Sequence, residues 1–133
     1  MPLIYLIILC FILSPLTIIL SIQTINFNYK LITLSKLKKK HDIIINSQTI
    51  EYQIANIYID TKQWHKAIIT LENAIHFNTD INTYWAAKYN NAIGFTLQKK
   101  GYNILAKIYY SMAYHHYPDY TYARNNLKNI NTL

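Results

Sequence analysis

Glycine, cysteine, proline and acidic residues are all scarce in this chain of 133 residues, and each scarcity removes a class of function. With only two glycines, Gly94 and Gly101, there is no Gly-rich loop to cradle a phosphate. The single cysteine, Cys10, has no partner for a disulfide and no companions for a thiolate metal site. The six acidic residues are spread singly, so no paired-carboxylate motif forms, and no nucleophile elbow is present. Glu51 and Glu72 read as helix-surface residues. His115 and His116 are neighbours and would point about 100° apart on a helix, while His41, His65 and His76 lack ligand spacing. No catalytic, metal or cofactor site is expected, and the chain is read as a non-enzyme.

Charge is also missing from the start. No charged side chain precedes Lys30, and Leu3 to Leu20 is almost wholly apolar. A bilayer span needs about 20 such residues. Ser14, Thr17 and Ser21 are tolerable hydroxyls there, and Pro15 marks an expected kink. The flank Met1-Pro2 lacks the basic start of a cleaved signal, and Ser21-Ile22-Gln23 is a poor cleavage site. Bulky Leu9 before Cys10 disfavours a lipoprotein. The expectation is an uncleaved anchor over residues 1–28.

Lys30, Lys36, Lys38, Lys39 and Lys40 follow, in a neck over residues 29–46. Without these five, the formal net charge of +7 falls to only +2. The basic balance is therefore mostly a juxtamembrane property. It suits contact with anionic headgroups and keeps the C-terminal part on the side of synthesis. A near-neutral remainder lacks the electrostatic footprint of nucleic-acid binding. Ile, Asn, Lys and Tyr together form nearly half of the chain. Their A- and T-rich codons suggest an A+T-rich genome such as an organelle's.

Beyond Asn46 the apolar spacing is helical throughout. Ser47 is the expected cap of a helix carrying Ile50, Ile54, Ile57 and Tyr58, with a break at Thr61–Gln63. A second helix carries Trp64, Ala67, Ile68, Leu71, Ala74 and Ile75. Thr83 is the expected cap of a third, which ends at Lys99-Lys100-Gly101, glycine supplying the left-handed stop. A fourth spans Asn103–His116 and stops before Pro118. Asp119 is the expected cap of a last helix reaching about Ile130.

These helices share one register. With Ala55 matched to Gly94, Ile54 meets Ile93, Tyr58 meets Leu97, Ala67 meets Ala106, Leu71 meets Tyr110 and Ala74 meets Ala113. Trp64 meets Asn103, but at most of these positions small aligns with small and bulky with bulky, as helix pairs that cross closely require. This pattern resembles the tetratricopeptide repeat, a 34-residue helical hairpin. The fuller copy is 87–120 and the degenerate one 48–81. The resemblance implies an all-α fold: an N-terminal transmembrane helix, then a short α-solenoid over 47–133 with a capping helix at 119–131. Three departures stand out. The copies are offset by 39 positions, which places an insertion around Asn82–Ala86. Thr79 replaces the usual proline, and Glu51 and Asn90 replace the usual large aromatic.

Anchor, basic neck and two such repeats resemble a small family of cyanobacteria and red-lineage plastids implicated in photosystem I assembly or stability. The carrying residues are Tyr89-Asn90-Asn91-Ala92-Ile93-Gly94-Phe95 and Tyr117-Pro118-Asp119-Tyr120, followed by Ala123, Asn125, Asn126 and Leu127. The resemblance implies a protein-binding scaffold in the thylakoid membrane, its repeats on the stromal side, with photosystem subunits or other assembly factors as partners. It also implies a concave groove lined by the first helix of each hairpin. The groove residues are then Thr49, Tyr52, Asn56 and Ile59, with Lys88, Asn91, Phe95 and Gln98. Tyr52 and Ala92 stand where a terminal-carboxylate clamp needs cationic or amide groups, so that mode is not expected. The tyrosines Tyr109, Tyr110, Tyr114, Tyr117, Tyr120 and Tyr122 read as half-buried packing between the terminal helices. Rival readings are a small structural subunit of a membrane complex and an organelle-surface receptor for targeting sequences.

Overall fold

The computed structural model describes residues 2–43, 47–78 and 80–130. Among them are six helices and no strand: α1 Pro2–Ile43, α2 Gln48–Asp60, α3 Trp64–Phe77, α4 Thr83–Lys99, α5 Asn103–His116 and α6 Thr121–Ile130. The end of the neck after Ile43, Thr79, and the capping helix beyond Ile130 lie outside the described residues. The chain divides into two compact units, Met1–Ser35 and Lys36–Leu133.

The first unit is helical and apolar. α1 is 42 residues long, about 63 Å at 1.5 Å per residue and so well above the ~30 Å of a bilayer core. A helix satisfies its own backbone, which is what a hydrocarbon environment demands. The hydroxyls follow suit: Thr17 Oγ1 donates to the Ser14 carbonyl, Ser21 Oγ to Thr17 and Thr24 Oγ1 to Leu20, each at 2.8 Å. Pro15 removes the N–H that would serve the Phe11 carbonyl, and Ser14 Oγ approaches that oxygen at 3.4 Å instead. The helix assignment runs unbroken through Pro15 and through the expected boundary between anchor and neck. Length and composition make α1 a candidate membrane span, and an N-terminal signal sequence would meet the same criteria.

In the second unit, α2–α3 and α4–α5 are helical hairpins and α6 packs on α4 and α5. Ala55, Ala67, Leu71 and Ala74 are buried in the first hairpin, and Gly94, Ala106, Tyr110 and Ala113 in the second. These are the residues that the 39-position register pairs. Small residues sit at the crossings because helices approach to contact distance only where no side chain intervenes. At Gly94 the Tyr110 ring fills the space that a Cβ would occupy.

Both hairpins turn through the same cap. The Gly101 N–H donates to the Gln98 carbonyl and Tyr102 to Leu97, with Gly101 at φ 84°. The Lys62 N–H donates to Ile59 and Gln63 to Tyr58 in the same pattern, with Lys62 at φ 58°. This is the Schellman arrangement, built once on glycine and once on lysine. The first hairpin thus lacks the glycine yet keeps the geometry, at the steric cost of an L-residue in the left-handed region. Lys62→Gly should raise stability by about 1 kcal/mol, read as an upward shift of the urea midpoint at unchanged slope. An unchanged or lowered midpoint would remove the strain argument.

The expected insertion is helical. α4 begins four residues before the position that matches the start of α2, so Thr83–Ala86 form one extra turn. Its cap is Asn82, whose side chain accepts from the Tyr84 N–H at 2.9 Å, and Thr83 lies inside the helix. Ser47 does precede α2, but its side chain makes no capping bond. Asp119 does not cap α6. Tyr120 donates to the Tyr117 carbonyl across the Pro118-Asp119 turn, and the Tyr120 carbonyl then takes the N–H of Arg124.

Candidate protein-binding cleft

The faces of α2 and α4 turned away from their hairpin partners, together with α6, enclose a cleft of about 340 Å³. Tyr52, Asn56 and Ile59 come from α2, Asn91 and Phe95 from α4, and Tyr122 and Asn126 from α6. Spacings of three and four residues place each set on one helix face. The opposite faces of α2 and α4 carry Ile54, Ala55, Ile93 and Gly94 into the core.

Five of the eight expected groove residues line this cleft. Thr49 is exposed and lies outside the lining. Gln98 is directed into the second hairpin, where its Oε1 accepts from the Tyr110 hydroxyl at 2.8 Å. Lys88 stands apart from the lining but beside it. Its ammonium lies 4.3 Å from the Trp85 ring centroid, 4.6 Å from Tyr52 and 5.4 Å from Tyr84. Burial lowers the pKa of Lys88, while the aromatic faces offset part of the lost hydration. Four of the lining residues were not among the expected groove residues: Asp60, Ala92, Tyr122 and Asn126. The last two come from α6, whose Tyr122 and Asn126 stand four apart, the one signal available.

Tyr52 packs edge-on to Trp85 and stacks on Tyr89, so its ring is fixed more than its exposure suggests. Burial raises its pKa, against a hydrogen bond to Asn56 that lowers it. The Asn126 Nδ2 donates to Asn91 Oδ1 at 2.9 Å. Asn91 is nearly buried, so this bond orients its carboxamide. Phe95 is more than a third exposed, with Lys99 5.3 Å from its ring centroid. The cleft therefore offers fixed amides and apolar rings, the set that an extended peptide would meet.

Glu51 corrects the sequence reading. It is buried at 7 % exposure, not on the helix surface. The Tyr89 hydroxyl shares its one proton between Glu51 Oε2 at 3.1 Å and the Gln48 carbonyl at 2.8 Å. Asn78 Nδ2 also donates to Oε2 at 3.1 Å, and His41 Nε2 lies 3.4 Å from Oε1. A buried carboxylate requires such donors. A second cavity of about 530 Å³ adjoins it, lined also by Lys38, Tyr58 and Phe77. Lys38, expected at the membrane surface, has its ammonium 5.6 Å from the Tyr58 ring centroid. Glu72 is half-buried and accepts from the Tyr109 hydroxyl at 2.9 Å.

The tyrosine cluster is mixed. Tyr110 is fully buried and Tyr109 and Tyr120 are half-buried, but Tyr114, Tyr117 and Tyr122 are exposed. The extra turn of α4 explains part of this, since Tyr84 packs edge-on against Tyr117 and Tyr120. No family model matches the chain, and no curated protein matches it.

Proposed function

We propose that the chain is a membrane-anchored scaffold of tetratricopeptide type whose cleft holds an extended segment of a client protein. The role is binding and not catalysis. The observation that carries this reading is the convergence of Tyr52, Asn56, Ile59, Asn91 and Phe95 with Tyr122 and Asn126 on one cleft. Asn56 and Asn91 would pair with client backbone, and Phe95 and Ile59 would cover client side chains. An anchor in α1 would confine scaffold and client to one membrane, raising their effective concentration and allowing a weak cleft to suffice.

The resemblance set out above carries the reading further. The membrane is then the thylakoid, the scaffold faces the stroma, and the client is a photosystem I subunit or a fellow assembly factor. The test is affinity capture from detergent-solubilised native membranes with the tagged full-length chain. Phe95→Ala and Asn56→Ala are the variants of choice, because Tyr52 and Asn91 also hold the fold. Together they should lower client recovery about tenfold, as expected when one anchoring contact is lost. Recovery equal to the parent chain would end the cleft reading. Co-fractionation with immature photosystem I supports an assembly role, whereas stoichiometric presence in the mature complex replaces it with a subunit role.

A further inference from the structure

We propose that the outer face of α5 is a lipid-contacting surface that rests on an anionic membrane. The proposal is independent of the cleft. α5 buries Ala106, Tyr110 and Ala113, so the side turned farthest from the core passes through Ile104, Ile108 and His115. A helix of a water-soluble hairpin carries polar residues there. Instead Ile104 is 81 % exposed, Ile108 50 % and Met112 43 %, with Leu105 beside them at 49 %.

The fold itself does not require this. α3 buries Ala67, Leu71 and Ala74 at the same register, and its outward positions corresponding to Ile104, Met112 and His115 are His65, Asn73 and His76. Of that outward row in α3, only Ile69 is apolar. The apolar row on α5 therefore marks a contact that α3 does not make.

Charge selects the occupant. No acidic residue occurs between Asp80 and Asp119, whereas Lys99 and Lys100 close α4 and Lys107 lies on α5. An apolar row on a helix that itself carries Lys107 and no acid has the composition of a helix lying in a headgroup layer. Tyr102, 53 % exposed with Lys100 near its ring, adds an aromatic residue suited to the same depth. A second copy is a poor occupant, because a two-fold contact through this face would set Lys107 against Lys107, and neither α4 nor α5 carries an acid to answer it. The same chain carries a candidate membrane span, so a bilayer is a surface it would meet.

The test uses the full-length chain with Cys10→Ser, reconstituted into vesicles of phosphatidylcholine with or without phosphatidylglycerol. A fluorophore is attached at Ser111→Cys, on the outer face of α5, or at Asn73→Cys on α3 as the control. The expected result is quenching of the α5 label by a lipid-attached quencher in phosphatidylglycerol vesicles, with the α3 label unquenched. Lys107→Glu should lower the docked-to-undocked ratio by about fivefold or more. Ile104→Asn with Ile108→Asn should abolish quenching, and helical circular dichroism should be retained because both side chains face outward. Three outcomes overturn the proposal: an α5 label that lipid quenchers do not reach, equal quenching of both labels, or label burial that tracks protein density in place of lipid charge. The last would assign the face to a second copy. Failure of the cleft reading would appear only in client capture and leave this result untouched.

Discussion

Gly94→Val should destabilise the second unit by about 3 kcal/mol, at the top of the usual range for overpacking a filled core. A Cβ at Gly94 would lie 2.8 Å from Cδ1 and Cε1 of Tyr110 and 3.1 Å from the Ala106 carbonyl oxygen. Neither neighbour has an easy escape. Tyr110 is fully buried and its hydroxyl is tied to Gln98, while the Ala106 carbonyl belongs to the backbone of α5. Helix propensity acts the other way but returns only a few tenths of a kcal/mol, since valine is a modest helix former. For a domain of this size the melting midpoint should fall by about 10–20 °C. Combining the change with Tyr110→Leu, which withdraws the obstructing ring, should recover part of the loss. Equal stability of Gly94→Val and the parent chain, measured by urea unfolding in detergent, would refute the close crossing.

Alkali should unfold the second unit well before it harms the helices of an ordinary protein. Burial raises the pKa of Tyr52, Tyr89, Tyr109, Tyr110 and Tyr120, with the nearby Glu51 and Glu72 carboxylates adding to the effect at Tyr89 and Tyr109. Tyr110 is pushed from 10.0 up to about 12. A tyrosine that holds its proton more tightly when folded contributes stability that is whole below pH ~10 and lost as the pH climbs above it. Fully buried Tyr89 and Tyr110 each forfeit about 1.4 kcal/mol per pH unit in that window, hence about 5 kcal/mol between them by pH 12. That is the whole stability of a marginal domain. Lys88 works in the opposite sense, since its lowered pKa relieves a buried charge as the pH rises, but it is one group against five. The share of the tyrosinate absorbance that comes from these five should therefore appear together with the loss of helical circular dichroism, in one steep step above pH 10. A gradual titration centred on 10.0 with helicity intact would contradict it.

Much of this fold was legible because its core positions repeat. Asn103–His116 reads the same from spacing as from structure, since Ala106, Tyr110 and Ala113 leave one arrangement for the inner face. The extra turn of α4 was legible only as an excess of residues. Whether Thr83–Ala86 form a loop or a turn of helix depends on Tyr84 and Trp85 finding rings to pack on, and those belong to α2 and to the segment after α5. Burial of Glu51 was hidden for the same reason, because His41, Asn78 and Tyr89 approach it from α1, from the end of α3 and from α4. Periodicity reports the face on which a residue lies but not the partners waiting there. Of the cleft, the share from α2 and α4 was visible as two helix faces, and the share from α6 was not. Gln98 lay on the expected face and was claimed by Tyr110.

The order of packing along the second unit has a kinetic consequence. Each helix rests chiefly on its sequence neighbours, α2 on α3, α3 on α4, α4 on α5 and α5 on α6. Closing such contacts requires only short loops, so little chain entropy is lost before the first native contacts form. The α4–α5 hairpin, with a glycine cap and Gly94 set against the Tyr110 ring, is the natural nucleus, and α3 and α6 add to its two sides. Folding of this unit should thus be fast and sequential, and a chain emerging during synthesis must wait for α5 before its most stable piece can form.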